Sequence, residues 1–129
     1  MAAYEIPNMR FSAEAGATVE RRRFVKINAN EKGVKAGAGE AVVGASMVDA
    51  VEGEVLEIAN GIVMVEAAAT ITAGSEVQSN AEGKAIPIPT DQGQQGQPGQ
   101  QGQPGQQGHV AGIAMTNASE GALVSILIR

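Results

Sequence analysis

Few side chains in this chain could take part in covalent or acid-base chemistry. His109 is the sole histidine, and there is no cysteine to act as its nucleophilic partner. A serine partner is not excluded, but nothing in the spacing positions one. His109 therefore reads as a solvated side chain. Gly37-Ala38-Gly39 opens like a dinucleotide-binding loop, yet Val42 stands where the third glycine belongs and no helix is expected to follow. Glu52, Glu54 and Glu57 are spaced along a turn and a strand, where carboxylates more often provide solubility than acid-base chemistry. Asn117-Ala118-Ser119 matches a glycosylation acceptor but has no meaning without a secretory signal. The expectation is a protein that is not an enzyme, with no cofactor and no metal site.

Composition sets the frame for the elements around these residues. A length of 129 residues suits one domain. Tyr4, Phe11 and Phe24 are the only aromatic residues, so the core must come from Val, Ile, Leu, Met and Ala. Each large aliphatic side chain contributes roughly 1.5 to 3 kcal/mol on full burial, so assembly would add usefully to a monomer's stability. The lack of cysteine fits folding in a reducing cytoplasm. Glu5 and the absence of a basic stretch before an apolar run argue against a signal peptide. No apolar run approaches the length of a spanning helix, about 18 residues, and no membrane role is expected.

The strongest internal signal is duplication. Val42 to Ile58 returns as Val110 to Ile126, with Gly, Met, Ala, Glu-Gly and the final Ile in register at an offset of 68 (112 − 44). Asn28-Ala29 and Lys32 return as Asn80-Ala81 and Lys84 at an offset of 52 (80 − 28). The difference of 16 equals the length of the tract Gly93 to Gly108. Two copies of one β unit, about 25–58 and 77–126, account for both matches if the tract is an insertion. The fold class expected is mainly β: a small single-domain barrel or sandwich of two similar units over 17–129, with an N-terminal arm over 1–16.

Met1 to Gly16 has Pro7, Asn8 and scattered apolar residues (Tyr4, Ile6, Met9, Phe11), so it reads as an arm that docks on a partner or lies across its own barrel. Thr18 to Ile27 alternates like a strand with an exposed first half. Asn28 to Gly33 is a turn, Gly37 to Gly39 a loop, Gly44 a tight backbone position and Asp49 to Gly53 a connection. Asn60-Gly61 between two β-rich runs predicts a type I′ hairpin over Glu54 to Glu66. Glu76 to Ser79 is a strand, Asn80 to Gly83 a turn, and Pro87 and Pro89 place Lys84 to Ile88 at a sheet edge. The apolar Ala122 to Ile128 reads as a central strand.

Charge is uneven. Residues 1–35 hold seven cations, including Arg21, Arg22 and Arg23, against four acids, whereas residues 36–129 hold two cations against ten acids. A basic leading segment could grip an acidic surface or form a solvated strand face. The acidic excess elsewhere argues against nucleic acid.

In the inserted tract, Gly93, Gly96, Gly99, Gly102, Gly105 and Gly108 occupy every third position, with eight Gln and two Pro between them. This is the collagen period, and the composition also suits a polar loop. Extended polyproline II would separate the ends by roughly 45 to 50 Å, whereas equivalent repeat units need them close. An outward loop near a threefold axis is therefore favoured over a continuous triple helix.

The succession Arg22-Arg23-Phe24-Val25-Lys26-Ile27, Val42-Val43-Gly44-Ala45, Glu52-Gly53-Glu54-Val55, Ile71-Thr72-Ala73-Gly74, Asn80-Ala81-Glu82-Gly83-Lys84 and Val110-Ala111-Gly112-Ile113-Ala114 resembles the head decoration, or capsid cement, proteins of tailed bacteriophages. The resemblance covers about residues 18–129 apart from the tract. It implies a β-rich structural protein of the virion that binds the outer surface of an assembled capsid, usually as a homotrimer at threefold positions, with the major capsid protein as partner. Assembly would take place in the host cytoplasm. The capsid-contact residues expected are Tyr4, Ile6, Met9, Phe11, Arg21, Arg22 and Arg23, with deletion of 2–16 leaving a folded protein. A trimeric fibre or adhesin module with a short collagen-like stalk is the alternative.

Overall fold

The computed structural model describes residues 3–88 and 108–129. Among the described residues the chain forms β1 (Ile6–Glu14), β2 (Phe24–Ile27), β3 (Gly33–Lys35), β4 (Gly44–Ser46), β5 (Val55–Glu66), β6 (Glu76–Ser79), β7 (Ala85–Pro87), β8 (Gly112–Ala114) and β9 (Leu123–Ile128), and no helix. The order across the sheet is β3-β2-β4-β5-β9-β8-β6-β7, with β1 also paired to β5. That order reads the same from either end once β2–β5 are exchanged for β6–β9, as a duplicated unit requires. All the named strand pairs are antiparallel.

The centre of the arrangement is β5. Successive side chains on a strand point to opposite faces. Leu56 and Ile58 point one way, into a core with Ala15, Val19, Val25 and Ala50. Val63 and Val65 point the other way, into a core with Ala67, Ile71, Val77, Val124 and Ile126. The cores correspond position by position, at an offset of 52 before the tract (Val19 to Ile71) and 68 after it (Leu56 to Val124). Each half curls until its first strand's end meets its third: Ala15 bridges Gly33 and Ala67 bridges Ala85, both parallel. Single antiparallel bridges, Val19 to Ala50 and Ile71 to Ala118, close the connections at the same offsets.

The duplication reaches further toward the N-terminus than the repeated residues indicated. The pair Phe11 and Ile58 of β1 and β5 corresponds to Val63 and Ile126 of β5 and β9. Hence β1 is the first strand of the first half, and the second part of β5 is the first strand of the second. Residues 1–16, expected as an arm, contribute a nine-residue strand to their own sheet. Phe11 and Ala13 pack against the first core, which gives this strand its place.

Two local expectations change for physical reasons. The hairpin at Asn60-Gly61 does not form, because β5 continues straight through as the last strand of one half and the first of the next. Gly61, at a φ of 101°, lies opposite the irregularity in β1 between Pro7 and Met9, and a side chain there would strike the Asn8 backbone. The dipeptide thus serves a crossing of strands, where local turn preference gives way to the packing of both faces. Thr18 to Arg23 is not part of β2, because Arg22 has a φ of 66° and its N–H and C=O bond to Ser46 and Glu66. The strand at Glu76–Ser79, the edge position of β7 and the interior position of β9 are as expected. Gly44 and its counterpart Gly112 lie against the Ala59 and Leu127 carbonyls, which leave no room for a side chain.

Turns are copied as closely as cores. The Asn28 Oδ1 accepts the N–H groups of Asn30 and Lys32, and the Asn80 Oδ1 accepts those of Glu82 and Lys84. Asp49 accepts the Arg21 N–H and Asn117 the Ala73 N–H, which explains why an acid and an amide exchange at that place. Gly83 in the second turn has a φ of 78°, and its counterpart Glu31 holds a φ of 67° with a side chain attached. A left-handed conformation costs a non-glycine residue roughly 1 to 2 kcal/mol, part of which glycine returns as unfolded-chain entropy. Glu31→Gly should therefore stabilise the protein by about 0.5 to 1 kcal/mol, raising the thermal midpoint by roughly 2 to 4 °C. Thermal melts followed by circular dichroism check this, and an unchanged or lower midpoint would contradict it.

Candidate interaction surface

The residues singled out from the sequence fall into two groups. Ile6 and Met9 lie on β1 with 60% and 54% of their surface exposed, and Arg21 is exposed on the following connection. Those three are open to a partner. The other four are engaged within the chain. Phe11 packs on the first core. Tyr4 is fixed by its backbone, whose N–H donates to the Ser125 Oγ at 2.6 Å while the Ser125 hydroxyl donates to the Tyr4 carbonyl. Arg22 meets Glu5 at 2.7 Å. Arg23 reaches both Glu20 and Glu66, at 3.4 and 3.2 Å, and so ties the first half to the second.

The basic leading segment is largely neutralised by neighbouring carboxylates. Arg10 pairs with Glu57, Lys26 with Glu40, Lys32 with Glu14 and Lys35 with Glu20. Among the described residues, Arg21 is the one cation of that segment without such a partner. The signal missed by sequence reasoning was the repeat: Lys32 to Glu14 and Lys84 to Glu66 are one ion pair written twice. Exposed ion pairs contribute roughly 0 to 1 kcal/mol each, so these contacts set local geometry more than stability.

Two open depressions gather polar groups from both the loops and the strand ends. One, of about 510 Å³, is lined by Lys26, Ile27, Gly39, Glu40, Val43 and His109 among others. The His109 N–H donates to the Gly39 carbonyl, and the neighbouring Gly108 N–H donates to the Gln78 Oε1 at 3.1 Å. The end of the Gly-X-Y tract is thus fastened to the Gly37–Gly39 loop and to β6. Gly93, Gly96, Gly99, Gly102 and Gly105 lie outside the described residues. The second depression, of about 330 Å³, includes Glu20, Asp49 and Glu54. Asp49 accepts the Arg21 N–H and Glu54 accepts the Val51 N–H, so both act as turn caps. No group of three or more His, Cys, Asp or Glu residues is placed to hold a metal ion among the described residues.

An apolar row crosses the outside of the second half. Ile113 of β8 lies opposite Leu127 of β9, Leu127 opposite Ile62 of β5, and Ile62 opposite Ile6 of β1. Directly opposed residues share a face. Ile6, Ile62, Leu127 and Ile113 therefore form one band across four adjacent strands. Glu76 of β6, opposite Ile113, ends it.

The Glu20 carboxyl is held below its ordinary value of 4.5 by a hydrogen bond from Lys35 and by its own backbone N–H. Glu40 is lowered likewise, by Lys26 first and by the Gly37 N–H second. A carboxyl depressed in the folded state contributes stability above its unfolded pKa and loses it as the pH falls through the folded value. Urea midpoints should therefore decline as the pH drops below about 4.5. The double variant Glu20→Gln, Glu40→Gln should show a shallower decline than the parent. Equal slopes in the two proteins would remove these carboxyls from the acid response.

No protein-family model matches the chain, and no curated protein matches it. Among solved structures, the fold is shared with the N base of head fiber gp8.5 of bacteriophage phi29, at a TM-score of 0.67 and 19% sequence identity. The match covers 94% of this chain and 93% of that one, so the likeness extends over both halves.

Proposed function

We propose that this protein is a non-enzymatic structural component of a phage head that binds the outer surface of the assembled capsid and stabilises it, as a homotrimer at threefold positions. The single observation carrying this reading is the near-complete coverage of a head-fibre base by the same fold. The surface is consistent with it: an exposed apolar side chain at Met9 stands on a strand backed by a core, with Arg21 exposed nearby. Such a protein needs no reactive group. Binding the intact shell more tightly than the loosened one is enough to strengthen it, and linked copies add avidity. The partner is the major capsid protein, and the place of action is the virion exterior.

A second reading has an observation of its own. The neighbour is the base of a fibre, and the last residue of the Gly-X-Y tract, Gly108, lies beside β6 and the Gly37–Gly39 loop. The tract would then project from the capsid-bound base as a short fibre or adhesive element.

Removing residues 2–16 cannot test the capsid contact, because it would delete β1 and open the first core. Point substitutions avoid this. The double variant Met9→Glu, Arg21→Glu should lower co-sedimentation with assembled shells of the co-expressed major capsid protein by tenfold or more, equivalent to about 1.4 kcal/mol or more. Its melting curve should match that of the parent. Undiminished co-sedimentation, or a parent that does not sediment with shells, would overturn the proposal.

A further inference from the structure

We infer that the apolar band Ile6, Ile62, Leu127 and Ile113 is a self-association surface, and that it receives the β2–β3 turn region of a second copy of this chain. The inference names the contact behind the trimer in the reading above, on which it rests, and is independent of the capsid contact.

The duplication supplies the reasoning. Glu76, Ile113 and Leu127 are the second-half counterparts of Phe24, Ala45 and Ala59, at offsets of 52 (76 − 24) and 68 (113 − 45). The pairing is the same in both halves: Phe24 lies opposite Ala45 and Ala45 opposite Ala59. In the first half all three are completely buried, because the second half lies over them and they join its core. In the second half no element among the described residues plays that part, and Leu127 remains 39% exposed. Solvent would favour polar residues there. Instead two alanines have become isoleucine and leucine, and Ile62 and Ile6 extend the row. Two of the three counterparts thus gain apolar surface where that cover is missing, and the third, Glu76, bounds it with a charge.

The cover used inside the chain identifies the occupant. Phe24 donates its N–H to the Gly83 carbonyl, and the Ser79 hydroxyl donates to the Ala36 carbonyl. Both come from the β6–β7 hairpin. The first-half counterpart of that hairpin, β2–β3, is not used as such a cover among the described residues. Ile27 stands at the place of the fully buried Ser79, yet is 40% exposed. Glu31 stands at the place of Gly83 and keeps its left-handed backbone despite the cost. One chain therefore presents a receiving band at one end and a copy of the covering hairpin at the other. Two different patches in contact make a head-to-tail interface, which closes into a ring when its rotation allows.

The test is the mass of the purified protein in free solution, with no capsid present, by sedimentation equilibrium. The parent is expected to be trimeric. Leu127→Glu, Ile113→Glu on the band and Ile27→Glu on the hairpin should each yield monomers, with far-ultraviolet circular dichroism and cooperative melting retained. Met9→Glu, Arg21→Glu should remain trimeric, which separates this surface from the capsid contact. Trimers that persist in either the band or the hairpin variant would overturn the proposed contact while leaving the trimer intact. A monomeric parent would overturn both the contact and the trimer, and shell co-sedimentation would still decide the capsid role.

Discussion

The structure depends on one strand being apolar on both faces. A strand at the surface of a single core alternates apolar and polar residues. β5 cannot, because Leu56 and Ile58 on one face close the first core while Val63 and Val65 on the other close the second. A shift of one residue would exchange those faces and empty both cores at once. Register is therefore fixed doubly, by β1 and β4 along its first part and by β9 along its second. This is also why the two halves behave as one domain: neither has a complete set of strands without the segment that passes between them.

Much of this was legible in the sequence, because repetition gives every position a second witness. The offset of 52 marked the paired asparagine turns and that of 68 the paired Gly44 and Gly112, while β6 and the interior place of β9 were legible from their own residue types. What stayed hidden lay where the two copies share material. The repeat begins at β1, but Phe11 answers Val63 and Ala13 answers Val65, so identity is lost while burial is kept. Asn60-Gly61 carried the chemistry of a tight turn, and only the need to line two cores with one strand overrode it. In the same way, Arg22 and Glu31 adopt left-handed backbones that the first half does not mark with glycine, whereas Gly74 and Gly83 mark them in the second. Of the candidate surface, Ile6, Met9 and Arg21 are exposed. Tyr4, Phe11, Arg22 and Arg23 are absorbed by contacts that join residues distant in the chain and leave no local pattern.

The charge asymmetry has a similar explanation. Seven cations in the first 35 residues suggest a basic handle, but folding brings Glu14, Glu20, Glu40, Glu57 and Glu66 to their side. The electrostatic field of that region is consequently weaker than its sequence implies, and long-range attraction between exposed groups falls off over about 8 Å at physiological salt. Apolar contact is left as the larger source of binding energy on this surface. Burying a side chain such as Met or Ile contributes roughly 1.5 to 3 kcal/mol, against at most about 1 kcal/mol for an exposed ion pair.

Divergence between the copies separates what the fold requires of both from what the surroundings of each allow. Where both copies keep a residue's role, as with the Asn28 and Asn80 turns or the Gly44 and Gly112 approaches, the backbone sets the constraint. Where they differ, the environment differs. Ala45 is small because a second half lies on it, whereas Ile113 at the same place has no such cover among the described residues and is half-buried. The tract obeys the same logic: it enters after β7, at the edge of the sheet, and its end is fixed at Gly108 against Gly39, the loop through which the first half meets the second. An insertion there interrupts no strand pairing. The second half can therefore keep the core of the first while adding a feature that the first does not have.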